Sequence, residues 1–92
     1  MDIKSKTMAI SEANIKIQGR KTVVGAKQLR KSLESGTANF VFLAKNADPA
    51  ITEPVEALCR QSSVEYAWVA SMAELGRACG IQVGAAAAAI LV

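Results

Sequence analysis

CGIQVGAAAAAILV, residues 79–92, holds five consecutive alanines, and whether they form helix or strand decides the fold. Intrinsic propensity favours helix, since alanine is the best helix former. A run from 85 to 92 without one polar group would, however, have to be buried on every side, and an amphipathic surface helix is not built that way. The run is also too short and too alanine-rich to span about 30 Å of hydrocarbon, which takes roughly 20 apolar residues. Its reading depends on what precedes it.

Working back along the chain, residues 71–74 (SMAE) match a capping box, which starts a helix at Ser71 that stops near Cys79, with Gly80 as terminator. Leu75, Ala78 and Cys79 are spaced to face inward. VEYAWV, 64–69, alternates as a strand does. NFVFLA, 39–44, is a continuous apolar run, as expected of a central strand covered on both faces. Between these strands the main helix is expected to start near Thr52, with Pro54 in its first turn and 48–51 as a preceding turn, because a proline deeper in the helix breaks a hydrogen bond. Ile51, Val55, Leu58 and Cys59 would then share its buried face. TVV, 22–24, reads as a short strand, followed by a helix over 26–35 with Ala26, Leu29 and Leu33 inward and Gly36 as its stop. A helix near 11–18 is weakly patterned, since Ile15 and Ile17 share no face.

Strand, helix, strand, helix, strand, helix calls for a final strand more than for another short, uncapped helix. The tail is therefore expected to be a strand whose alanines let helices pack closely on both faces. The predicted architecture is a three-layer α/β/α sandwich with a four-stranded mixed sheet, formed by one domain over 20–92 with 1–19 as an N-terminal extension or short helix.

Composition narrows the function. Half the residues are hydrophobic but only 4% are aromatic, so the core is aliphatic. There is no histidine, which removes the commonest general base and metal ligand. Cys59 and Cys79 stand twenty positions apart without partner ligands, matching no metal motif. Two unpartnered cysteines and an N-terminus without a continuous apolar segment suggest reduced thiols in a cytoplasmic protein. The glycines match no phosphate-loop pattern. Binding accounts for these residues better than catalysis, and no cofactor or metal is expected.

The charge is asymmetric: residues 1–45 hold nine Lys or Arg against three acids, while 46–92 hold two against five, giving the net +3. Arg20, Lys21, Lys27, Arg30 and Lys31 come without an intervening acid, a pattern suited to a polyanion. In GAKQLRK, 25–31, a helix follows directly on a strand with lysines and an amide at its first exposed positions. Free N–H groups and the helix dipole favour phosphate, and Lys and Gln can read base edges; an ordinary amphipathic helix is the alternative. In GIQVG, 80–84, the glycines let the backbone bend, and Ile81 and Val83 either stack on an unpaired base or plug the end of the core. An interaction module meeting an acidic protein, or a general RNA-coating protein, would use the same basic face.

VVGAKQLRKSLESG, FVFLAKNADP and ELGRACGIQVGAAAAAILV together resemble the kink-turn-binding ribosomal-protein superfamily of the archaeal seven-Ae and eukaryotic thirty-e proteins, and in particular the small bacterial YbxF-type proteins. The resemblance runs over about 20–92. It implies that Gly25 lets the backbone approach RNA, that Ala26, where a threonine is frequent in the family, belongs to the same RNA-binding surface, and that Lys27, Gln28 and Lys31 contact the tandem sheared G·A pairs of a kink-turn. It further implies that Gly80, Ile81, Gln82 and Val83 cover a flipped-out loop nucleotide. The implied partner is a structured RNA such as ribosomal RNA, a riboswitch or another non-coding RNA, bound by a monomer away from any membrane. Archaeal members carry Asn and Glu where this chain has Lys27 and Gln28, and proline at Gly84.

Overall fold

The computed structural model describes residues 7–92. Four helices and four strands follow in order: α1 (Ile10–Ile17), β1 (Thr22–Val24), α2 (Ala26–Glu34), β2 (Ala38–Ala44), α3 (Pro49–Gln61), β3 (Glu65–Val69), α4 (Met72–Ala78) and β4 (Ala87–Leu91). The sheet order is β1-β4-β2-β3. β4 runs antiparallel to both neighbours, while β2 and β3 are parallel, so the sheet is mixed as expected.

The last three alanines open a strand, β4, with Ala85 and Ala86 leading into it, and its place in the sheet gives the reason. β4 lies between β1 and β2, and both its faces are covered. Ala87 and Ala89 face α2 and α3, packing with Leu29, Leu33, Val55 and Cys59. Ala88 and Ile90 face α1 and α4, packing with Ala13, Ile17 and Leu75. Ala87, Ala88 and Ala89 are 0–1% exposed. Close approach of two helical layers to one strand leaves room for methyl groups and little else, so tertiary packing overrides propensity. The β2 side chains divide in the same way, with Phe40 and Phe42 on one face and Val41 and Leu43 on the other. A register irregularity between Ala38 and Phe40 leaves Asn39 out of the ladder.

Two expectations are corrected. α3 begins at Pro49, not near Thr52: the Asp48 side chain caps it by accepting from the Ala50 N–H at 2.9 Å, and Pro49 takes the first helical position. Pro54 consequently lies inside the helix. The bond it cannot make would have gone to the carbonyl of Ala50, an exposed residue whose oxygen water can satisfy, so the strong cap prevails. With this start Thr52 is buried at 1% and Ile51 is 39% exposed, so the inward face reads Thr52, Val55, Cys59 rather than beginning at Ile51.

α1 sits one residue earlier than the 11–18 expectation. Its face is built from Ala13 and Ile17, one turn apart, with Ile10 partly buried beside them and Ile15 left in solvent. Before it, the Met8 N–H donates to the Trp68 carbonyl at 2.7 Å, which lays the chain along β3. Among the described residues no helix is long and apolar enough to cross a membrane.

Candidate nucleic-acid interface

Strand directions gather the two singled-out segments at one end of the sheet. β1, β2 and β3 all finish at this end, and β4 starts there. The Gly25 N–H donates to the Ala87 carbonyl at 3.1 Å, placing the start of α2 beside the residues that lead out of the 80–84 loop. Segments far apart in sequence thus come to the same end of the sheet through one antiparallel pairing.

At Gly25 the backbone adopts φ 100°, ψ 141°, a region that essentially only glycine enters. A Cβ there would meet nothing within 4 Å, so the glycine serves the turn from β1 into α2 and the space above it is open. No side chain caps this helix. Its first-turn N–H groups, which have no intrahelical acceptor, remain available at the positive end of the dipole. The other two helices that start at this end are capped. Asp48 serves α3, and Ser71 accepts from the Glu74 N–H at 3.2 Å to serve α4. The uncapped terminus is also the basic one. Lys27, Gln28, Arg30 and Lys31 are exposed, Ala26 is half-buried against the core, and no carboxylate lies within 4 Å of the three cations among the described residues.

Across from this helix start, the 80–84 loop folds back over the first turns of α4. The Ile81 N–H donates to the Gly76 carbonyl at 3.0 Å, and the Ala85 N–H donates to the Met72 carbonyl at 3.0 Å. Close approach requires small residues on both sides: a Cβ on Gly76 would collide with the Val83 carbonyl oxygen, and one on Gly84 would lie 3.1 Å from the Met72 Cβ. Ile81 and Val83 take different roles. Ile81 is partly buried and packs on the core, whereas Val83 is 71% exposed, with Gln82 exposed beside it. Gly80, at φ 78°, ends α4 and turns the chain into the loop.

The structure adds residues that sequence reading passed over. Asn46 Oδ1 accepts from the Met72 N–H at 2.8 Å, tying the β2–α3 turn to the start of α4. Lys45, exposed at the end of β2, contributes a further cation to this end. Gly76 supports the loop from beneath; a glycine within a short helical pattern was the available signal, since such residues commonly mark close packing.

Both cysteines hold their thiol protons more firmly than a free cysteine does. Burial, with a smaller contribution from Glu56, pushes the Cys59 thiol up to about 11, and burial raises Cys79. An unfolded chain loses the Cys59 proton near 9 while the folded one keeps it, so the buried thiol's contribution is complete below pH 9 and declines as pH rises to 11. Urea unfolding should show a stability loss of about 2 kcal/mol over that interval in wild type and a smaller loss in Cys59→Ala, at one pKa unit per 1.36 kcal/mol. Equal slopes in both proteins would refute the assignment.

The model of the ribosomal protein L7Ae/L30e/S12e/Gadd45 family matches residues 8–92. "RNA-binding protein YbxF" of Geobacillus stearothermophilus is 47% identical over 75 residues, covering 82% of this chain and 92% of the relative. An "RNA-binding protein" of Bacillus pumilus (strain SAFR-032) is 43% identical over 74 residues, covering 80% and 90%. Among solved structures, the Giardia lamblia 15.5kD RNA binding protein superposes with a TM-score of 0.75 at 27% identity, over 90% of this chain and 68% of that one.

Proposed function

The chain belongs to the ribosomal protein L7Ae/L30e/S12e/Gadd45 family, and from that membership we propose that it is an RNA-binding protein that recognises kink-turns through the α2 start and the 80–84 loop. The supporting observation is the junction at Gly25 and Ala87, which brings an uncapped, basic helix N-terminus and an exposed apolar loop tip to the same end of the sheet. The two halves suit different parts of one ligand. Lys27, Gln28 and Lys31 with the free N–H groups fit phosphates and purine edges, while Val83 and Gln82 offer a surface against which an unstacked base can lie. Ile81 anchors that surface from within.

No chemistry is needed for such a role. A protein that binds the bent conformer of an RNA better than the extended one shifts the population toward it by its differential affinity. The test is a titration of one hairpin, fluorescently labelled at both ends, carrying tandem sheared G·A pairs, with a second hairpin in which those pairs are replaced. Binding at least tenfold tighter to the first, with a change in end-to-end transfer, is expected. Equal binding would leave a general RNA-coating protein, and no binding to either at about 0.15 M salt would favour a protein partner for the basic face.

A further inference from the structure

The opposite end of the sheet carries a second feature that the kink-turn reading does not use. A cleft of about 380 Å³ opens between the last turn of α1, the bend after it and the starts of β2 and β3. Lys16, Gln18, Arg20, Asn39, Phe40 and Glu65 line it. Lys16 Nζ lies 4.3 Å from the centre of the Phe40 ring, which holds the ammonium against the floor. Although Glu65 shares the cleft, neither Lys16 nor Arg20 has a carboxylate within 4 Å among the described residues. Asn39 reaches this place because the β2 register irregularity takes it out of the ladder, a device that re-aims a side chain.

Two unneutralised cations, two amides and a carboxylate form a recognisable combination. The cations call for an anion, and a guanidinium beside an ammonium suits phosphate. The amides and the carboxylate call for hydroxyl or amine donors on the same ligand. The volume falls at the small end of ligand sites. Arg20 also begins the basic run that ends at Lys31, and β1 between them is an edge strand.

We propose that this cleft binds a ribonucleotide, its phosphate between Lys16 and Arg20 and its hydroxyl or amine groups on Glu65, Asn39 and Gln18. The source is either a single-stranded segment of the RNA held at the other end, which rests on the kink-turn reading, or a free nucleotide, which does not. The intact protein is titrated with a kink-turn hairpin, bare or with a ten-nucleotide 3′ uridine overhang, and separately with uridine monophosphate while amide shifts are followed. Two neutralised phosphates of a single strand add about 1.4 to the salt slope, so the overhang should tighten wild-type binding about tenfold at 0.15 M salt. Lys16→Ala with Arg20→Ala should abolish that gain and leave the bare hairpin unaffected. Arg20→Ala alone, which leaves the Lys16 and Phe40 contact in place, should lose about half of it on a logarithmic scale.

Shifts at Lys16, Asn39 and Glu65 with uridine monophosphate but no gain from the overhang would assign the cleft to a free nucleotide. Neither shifts nor gain would overturn the proposal, as would equal loss of bare-hairpin affinity in the double variant. If the bare hairpin does not bind, the kink-turn reading falls and the monophosphate titration alone decides the cleft, with shifts supporting it and their absence refuting it.

Discussion

Gly76→Ala is expected to destabilise the protein by about 3 kcal/mol, the upper part of the range for overpacking a tight site. The added methyl would collide with the Val83 carbonyl oxygen, a backbone atom that no rotamer change can move. Relief requires the loop to lift off α4, which breaks the bond from the Ile81 N–H to the Gly76 carbonyl and withdraws Ile81 from the core. Alanine's better helix propensity, about 1 kcal/mol, offsets only part of this. Urea unfolding measures the loss, and amide exchange at Ile81 and Ala85 shows whether the loop has lifted. A variant as stable as wild type with Ile81 equally protected would mean that the loop has slack, and Gly76 would then not position it. Because 3 kcal/mol corresponds to more than a hundredfold in the folding equilibrium, RNA binding by this variant is interpretable only at temperatures where it remains folded.

Lys27→Ala combined with Lys31→Ala is expected to weaken kink-turn binding ten- to thirtyfold at 0.15 M salt. Both side chains are exposed one turn apart on α2 and have no carboxylate within 4 Å, so their removal leaves the fold unchanged and unpairs nothing. If each neutralises one phosphate, the salt slope falls by between 1 and 2 units, and the affinity loss at 0.15 M follows from that slope when binding near 1 M is unaltered. Filter binding or fluorescence titration at four salt concentrations gives both numbers. An affinity loss with an unchanged slope would mean that the lysines act on base edges or on the helix itself rather than on phosphates. An unchanged affinity would remove α2 from the interface.

Much of the architecture was legible because hydrophobic pattern and punctuation agreed. The Ser71 capping box, the apolar 39–44 run and the alternation in 64–69 each specified an element by a local rule, and the structure places elements there. Where rules competed, local reading failed. Pro54 argued for a late helix start and Asp48 for an early one. The outcome turned on Ala50 lying in solvent, where water can take the bond that proline denies it, and burial is not a property of either residue type. Likewise Ile51 and Thr52 could each have faced the core; the apolar one was expected there, and the helix register put threonine there instead.

The candidate interface divides along the same line. Its residue types, the glycine that opens α2, the cations without acids and the apolar loop tip, stand in the sequence in full. So does the closing strand, although it covers Ala87–Leu91 rather than all of 85–92, because an alternating order of elements left a place in the sheet and an unbroken apolar run cannot be a surface helix. Only the tertiary structure separated Ile81 from Val83, set Gly76 under the loop and brought Gly25 against Ala87. Those are relations across elements, and they depend on which strands pair and in which direction. Sequence patterning reports the face a residue prefers; the distance between two faces, and hence the need for a glycine or an alanine there, is set when the layers close on one another.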